Sequence, residues 1–325
     1  EKLSKKWKKD RSEKGIATLG DSVFSLPRGY ISSGVLPIDC IVCYGYGFPT
    51  GIVEIFGPEA SGKSAVLQQV LAEAQRNDYV TGIFEMEYSL DYRRTRTVGL
   101  DKDRLVIFDA ETIEDVYEEL KDFVREVRKK SKDVPIVLGW DSIAATPTQT
   151  ELDMSKAGGL EKSDMGKFAL QMSKLFRRLL RFLFVNKVCL LCINQTRVNL
   201  QQRWGNKEVT YGGKALKFYA WVRCRIRTIK QIREGDNVVG IMCEMRVVKN
   251  KIAPPFKSCK IPIYWGRGID IPRTVWEYLL DRGILEKKGM AFKLNDVVVT
   301  KNSFPGYYAK HKLRVDKMIR REAMR

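Results

Sequence analysis

Eight consecutive residues, Gly57, Pro58, Glu59, Ala60, Ser61, Gly62, Lys63 and Ser64, have the spacing of a loop built to hold phosphate. Glycines in such a loop let backbone N–H groups curl around phosphate oxygens. Lys63 adds a cation that reaches the β- and γ-phosphates of a nucleotide, and the Ser64 hydroxyl is a ligand for Mg2+. Context gives the pattern its weight over a chance loop. Ile52–Phe56 reads as a strand before it, and Val66, Leu67, Val70, Leu71 and Ala74 follow at helical spacing. Asp141 closes the apolar run Val134–Trp140, the place for a carboxylate that holds a magnesium water shell. The plainer reading is an aspartate that caps a turn. Hydrolysis also needs a group to orient the attacking water. Glu85 and Glu87 stand at the end of Val80–Glu85, and alternation points both to one side. Residue types alone leave either open, and solvated strand-end carboxylates are the third possibility.

Such groups need a scaffold that brings strand ends together. Arg104–Phe108, Val134–Trp140 and Val188–Ile193 read as further strands, separated by helices over Thr112–Lys130 and Ser163–Asn186. Alternating strands and helices predict an α/β fold with a doubly wound, mostly parallel sheet. The nearly unbroken apolar run Val134–Trp140 suits a sheet covered on both faces. Strand-like runs without long helices occupy Trp221 to Trp265, and Gly266 and Gly268 mark a boundary. We therefore expect an N-terminal arm over 1–30, a core over 31–270 and a small basic α/β domain over 271–325. The arm has a basic helix carrying Leu3 and Trp7 on one face. The last segment has a helix near Pro272–Arg282 and a basic helix at its end.

Composition narrows the class. The formal charge of +19, from 58 Lys and Arg against 39 Asp and Glu, favours a polyanionic partner, nucleic acid before membrane. A solvated basic surface is the alternative. No run of 18 apolar residues exists and Glu1–Lys14 is highly charged, so we expect a soluble cytoplasmic protein with no membrane span or signal peptide. The Cys40/Cys43 and Cys189/Cys192 pairs have C-x-x-C spacing. With His311 the only histidine and both pairs in apolar runs, buried thiols fit better than zinc.

Several separated motifs occur in one order: Ile31-Ser-Ser-Gly34 with Pro37-Ile-Asp39, the phosphate loop, Glu87-Tyr-Ser-Leu-Asp91, Asp141-Ser-Ile-Ala-Ala145, Asn194-Gln195-Thr-Arg197, Gly212-Gly-Lys-Ala-Leu-Lys-Phe-Tyr219 and Val247-Val-Lys-Asn-Lys-Ile-Ala253. In this, the chain resembles the bacterial RecA recombinases from about Ile31 to Asp270. The resemblance implies a RecA-type P-loop ATPase core that polymerises as a helical filament on single-stranded DNA. It implies ATP and Mg2+ as cofactors, and strand exchange with homologous duplex DNA as the function. Glu87 takes the family's water-activating position, Gln195 that of the γ-phosphate sensor, and Asp91 that of an adenine contact. Arg94 stands where the family carries a stacking aromatic, and Trp265 where another base contact is usual. Lys249 and Lys251 resemble the pair that reaches a neighbour's ATP, and Lys217, Phe218 and Trp204 resemble interface elements.

Two DNA-contacting loops are implied, at about 152–166 and 197–213. Met165 matches a DNA contact in the first. Arg197, Val198, Asn199 and Leu200 open the second, with Leu200 at the place of a wedge between base triplets. Ser173, Arg177, Gly212, Gly213 and Lys214 match phosphate contacts, whereas Leu170 replaces an arginine. The arm looks short, and the end of the chain lacks an acidic tail. These departures read as a divergent member, with phage or plasmid origin one explanation. A ring helicase would more often carry an arginine finger than the Lys249/Lys251 pair. A non-catalytic assembly factor would not need Lys63, Glu87, Asp141 and Gln195 together.

Overall fold

In the computed structural model, residues 27–90, 92–156, 165–198, 208–289, 291–295 and 297–324 are described. Residues 1–26 of the expected arm, Asp91, the middle of the first loop, and Asn199, Leu200 and Trp204 lie outside them.

The chain enters through β1 (Tyr30–Ile31) and β2 (Phe48–Pro49), an antiparallel pair flanking helix α1 (Leu36–Cys43). Buried Asp39 on α1 accepts hydrogen bonds from the Ser32 and Ser33 hydroxyls, each at 2.6 Å, which accounts for the Ser-Ser-Gly and Pro-Ile-Asp motifs. Then β3 (Gly51–Gly57) runs into α2 (Lys63–Arg76), followed by β4 (Val80–Glu85), α3 (Tyr92–Thr97), β5 (Leu105–Phe108) and α4 (Ile113–Lys130). Thr112 and Asp115 form a reciprocal capping box at the start of α4, where the sequence placed its first residue. The alternating half closes with β6 (Ile136–Asp141), α5 (Gln149–Lys156), α6 (Met165–Val185) and β7 (Val188–Val198). After β8 (Glu208–Thr210) and α7 (Ala215–Tyr219) come the long strands β9 (Val222–Glu234) and β10 (Asn237–Asn250), then β11 (Ser258–Tyr264) and β12 (Gly268–Ile269).

These strands make one sheet in the order β12-β11-β10-β9-β3-β7-β6-β4-β5, with β8 paired to β7. From β9 to β5 all neighbours are parallel; β9 to β12 are antiparallel. Both faces are covered, and the strands divide their residues between them by alternation. Val53, Ile55, Val137 and Leu191 pack with α1 and α2, while Ile52, Leu138, Trp140 and Leu190 pack with α4 and α6. The expected α/β sheet is therefore present. Its parallel strands all aim their carboxyl ends at one edge, where ligands of such sheets bind.

The segments expected to form the two DNA loops carry some regular structure where they are described. Part of the first is helical, in α5 and at the start of α6. The second is closed at its base by a ribbon in which Arg197 pairs with Val209 and Val198 with Glu208. The polar composition of the second segment hid the short hairpin that its two ends form with each other.

After β12, Asp270 caps α8 (Ile271–Asp281), and β13 (Glu286–Lys288), β14 (Ala291–Leu294) and β15 (Val297–Val299) form a small antiparallel sheet before α9 (Phe304–Ala323). Val315, Ile319 and Ala323 of α9 share one buried cluster with Ile38 and Ile41 of α1. Arg320 donates to the Gly45 carbonyl, and Lys257 Nζ donates to Ala323 O at 3.1 Å. All seven cysteines are buried and unpaired, with burial raising Cys40 to about 12. Among the described residues no helix is long and apolar enough to cross a membrane.

Candidate functional site

The phosphate loop is wedged between three strands. A side chain on Gly57 would overlap the Ile226 carbonyl of β9, so only glycine lets the loop leave β3 here. Gly62 caps α2 in the left-handed region, over Ile263 of β11. Lys63 is buried, and its Nζ donates to the carbonyls of Gly57 (3.2 Å) and Pro58 (2.6 Å). Ser61 Oγ donates to the same Pro58 carbonyl at 2.7 Å. Burial lowers the Lys63 pKa, opposed by the nearby charges of Asp141, Glu87 and Glu59. The free N–H groups at the start of α2 and this lysine together make a strongly anion-attracting pocket.

Asp141 ends β6 close to the Ser64 hydroxyl. Burial raises its carboxyl to about 6, the charges of Glu87 and Glu85 add to that, and Ser64 and Lys63 pull the other way. A buried carboxylate crowded by two more is a setting that a divalent cation would relieve.

The two strand-end glutamates part company. Glu85 folds back to accept from Ser89 N at 2.9 Å, closing its own turn. Glu87 is exposed and faces β7, where its Oε1 accepts from Gln195 Nε2 at 3.1 Å and from the Ser142 hydroxyl. Gln195 is brought there by register, since it pairs directly with Gly57. The structure thus gathers Lys63, Ser64, Glu87, Asp141 and Gln195 at one sheet edge. Trp265 is 53% exposed, two residues beyond the Ile263 that packs under Gly62. Arg94 falls on α3.

Lys249 and Lys251 lie elsewhere. Lys249 pairs with Arg223, which pairs with Glu54, halfway down β3. Lys251 N bonds to Trp221 O, and Trp221 N to Ile52 O, five residues before Gly57. That is about 17 Å along the strand. Both ammonium groups donate to the last carbonyls of α7, Lys249 to Lys217 and Phe218 and Lys251 to Phe218 at 3.2 Å. Phe218 itself is 67% exposed. Burial first, then Lys251 and Arg223, lowers Lys249 to about 8.

The base of the second loop is rigidly held. Arg197 stacks over Tyr211 at 3.7 Å, and Asn194 Nδ2 donates to Tyr211 O at 3.0 Å. Gly212 and Gly213 both have positive φ. A side chain on Gly213 would collide with Ala169 of α6. Lys214 is exposed at the start of α7. On α6, Ser173 and Arg177 are one turn apart, beside Leu170, which is 54% exposed. Met165 is the first residue of that helix. Between α5, α6 and the ribbon lies a cleft of about 750 Å3, lined by Pro147, Phe168, Arg197, Tyr211 and Gly213 among others.

A family model described as the RecA N-terminal domain matches residues 2–270. This chain belongs to the RecA family. It is 36% identical over 285 residues to Protein RecA of Corynebacterium jeikeium (strain K411), covering 87% of this chain and 73% of that one. To Protein RecA of Borrelia hermsii (strain HS1 / DAH) it is 33% identical over 291 residues, covering 89% and 79%. As a RecA-family recombinase it acts in DNA recombination and repair, as a nucleotide- and DNA-binding, DNA-dependent ATPase with strand-exchange activity.

Sequence reasoning overlooked one feature of this RecA-family core. Glu54, fully buried in mid-strand, is ion-paired to Arg223 and accepts from Asn194 Nδ2 at 2.9 Å. The same Asn194 holds Tyr211 and, through its oxygen, Gln195 N at 2.9 Å. The signal was present: a carboxylate inside the apolar strand Ile52–Phe56 demands buried partners.

Proposed function

We propose that the chain assembles as a helical homo-filament on single-stranded DNA in the cytoplasm, with ATP and Mg2+ at each subunit interface, and pairs that strand with homologous duplex. The observation that carries this reading is that Lys249 and Lys251 fall at the levels of Glu54 and Ile52, about 10 and 17 Å back along β3 from the phosphate loop. Lys249 and Lys251 do not reach their own loop, yet they stand on an exposed surface beside Lys217 and Phe218. A neighbouring subunit seated there would receive two cations at its nucleotide, and assembly would complete the site. The outer strand β5 exposes Ile107 to 61%, a second edge of the kind assembly covers.

Within a subunit the loop 57–64 wraps the phosphates, with Lys63 at the β- and γ-oxygens. Ser64 and Asp141 would hold Mg2+, which supplies charge neutralisation between the phosphates. Glu87 takes the proton of the attacking water. Gln195 has a second N–H free of its Glu87 bond for a γ-phosphate oxygen, so it senses the nucleotide and passes its state along β7 to the loop held by Tyr211. Asp91, Arg94 and Trp265 surround the base, with the Arg94 guanidinium stacking on it. Met165, Ser173, Arg177, Arg197, Val198, Asn199, Leu200, Gly212, Gly213 and Lys214 hold the DNA backbone without reading sequence, and Trp204 packs on the next subunit. The core spans 31–270, preceded by an arm over 1–30. The basic segment 271–325 gathers incoming duplex. Because α9 covers α1, charge-neutralising substitutions on its outer face are a cleaner probe of that role than deletion.

Lys249→Ala should abolish most DNA-stimulated hydrolysis. Mixed with wild type, it should lower turnover more steeply than its share of the protein. Activity falling only in proportion to the mutant fraction would mean that each subunit hydrolyses alone. A pH effect accompanies this. Lys249 loses its proton as pH rises through about 8, so interface attraction is present below that pH and fades above it. Lys249→Arg, which stays charged, should flatten the alkaline fall in assembly measured by light scattering. An unchanged fall in the arginine variant would assign it to another group.

A further inference from the structure

Ser142 carries a hydroxyl whose use is not local. It stands at the N-cap of the short 3-10 turn Ile143–Ala145, where a serine ordinarily satisfies the turn's own N–H groups, yet its side chain makes no capping bond. The residue is fully buried, and burying a hydroxyl costs free energy unless it is hydrogen-bonded. Its one side-chain bond among the described residues goes across the site to Glu87 Oε1. The serine backbone is itself fixed. Its carbonyl accepts from Ala145 N at 3.2 Å and from Thr146 Oγ1 at 2.9 Å, and Thr146 is in turn held by Trp140 Nε1 at 2.9 Å. Glu87, by contrast, is exposed on the segment that follows β4, where its backbone neighbour Met86 N donates to Asp141 O at 2.7 Å.

We infer that Ser142 is a positioning residue for hydrolysis. On the reading of Glu87 as the water activator, Ser142 acts by orienting the carboxylate. Ser142 and Gln195 both donate to Oε1, and among the described residues nothing donates to Oε2. Two donors on one oxygen fix the carboxylate plane and leave the other oxygen free to accept the proton of the attacking water. The two donors differ in kind. Gln195 is the group that responds to nucleotide, whereas Ser142 is buried and anchored to the β6 end, so it holds Glu87 in place while Gln195 shifts its bonds. Without the hydroxyl the exposed glutamate samples rotamers in which neither oxygen faces the phosphates.

The test is a double-mutant cycle in the full-length protein on saturating single-stranded DNA. Ser142→Ala should lower kcat by roughly tenfold, the scale of one lost hydrogen bond to a charged group. KM for ATP, DNA affinity and melting temperature should move little. Combined with Glu87→Gln, the serine change should cost less than about twofold more, because its only route is through that carboxylate. Ser142→Cys, with a weak S–H donor and little change in volume, should fall between Ser and Ala, and it serves as the variant should alanine impair folding. Full activity in either variant, or equal penalties with and without Glu87, would overturn the inference. Normal turnover in Glu87→Gln alone would instead sink the assignment of Glu87 and leave Ser142 with nothing to position.

Discussion

Glu87→Gln should slow DNA-stimulated ATP hydrolysis by at least roughly 10²-fold, the usual contribution of a positioned general base. The glutamine keeps the shape of the side chain and can still accept from Ser142 and Gln195, so ATP and DNA binding should persist. Filaments should then form and fail to turn over, which a DNA-binding assay with ATP would register as a complex that does not decay. Glu85→Gln is the internal control. Glu85 is occupied with Ser89, and its loss should cost much less. A larger effect at Glu85 than at Glu87 would show that the carboxylate facing Gln195 is not the one that activates water.

Lys63→Ala should remove ATP-dependent assembly altogether. The side chain fills the space under the loop and supplies its buried cation, so its loss withdraws about 3 kcal/mol of charge-assisted bonding, roughly 10²-fold in nucleotide affinity. The backbone of the loop should survive, because Ser61 still ties to Pro58 and Gly57 still packs on β9. Melting temperature without nucleotide should therefore change little, while the stabilisation normally added by ATP disappears. Wild-type nucleotide affinity in this variant would contradict the placement of the phosphates.

How far the sequence led depends on the range of the forces involved. Val80–Glu85 was legible to the residue and the start of α4 to within one residue of Thr112, because alternation and the placement of charge along a helix are written in neighbouring positions. The phosphate loop was legible for the same reason. The choice between Glu85 and Glu87 was not, since it depends on where β7 brings Gln195, and only the family resemblance favoured Glu87. The Glu54–Arg223–Asn194 cluster and the docking of α9 on α1 join residues far apart in the chain. Each is an outcome of sheet order and packing that no local periodicity encodes. Ser142 belongs with them: only the folded chain shows its hydroxyl spent on Glu87.

On this reading, subunits complete one another's nucleotide sites along DNA. Electron microscopy of the full-length protein on long single-stranded DNA with a slowly hydrolysed ATP analogue tests it most directly. Continuous helical filaments should be seen, with nucleotide between adjacent subunits and Lys249 and Lys251 of one facing the phosphate loop of the next. Closed rings, isolated subunits on DNA, or filaments in which those lysines face solvent would contradict it.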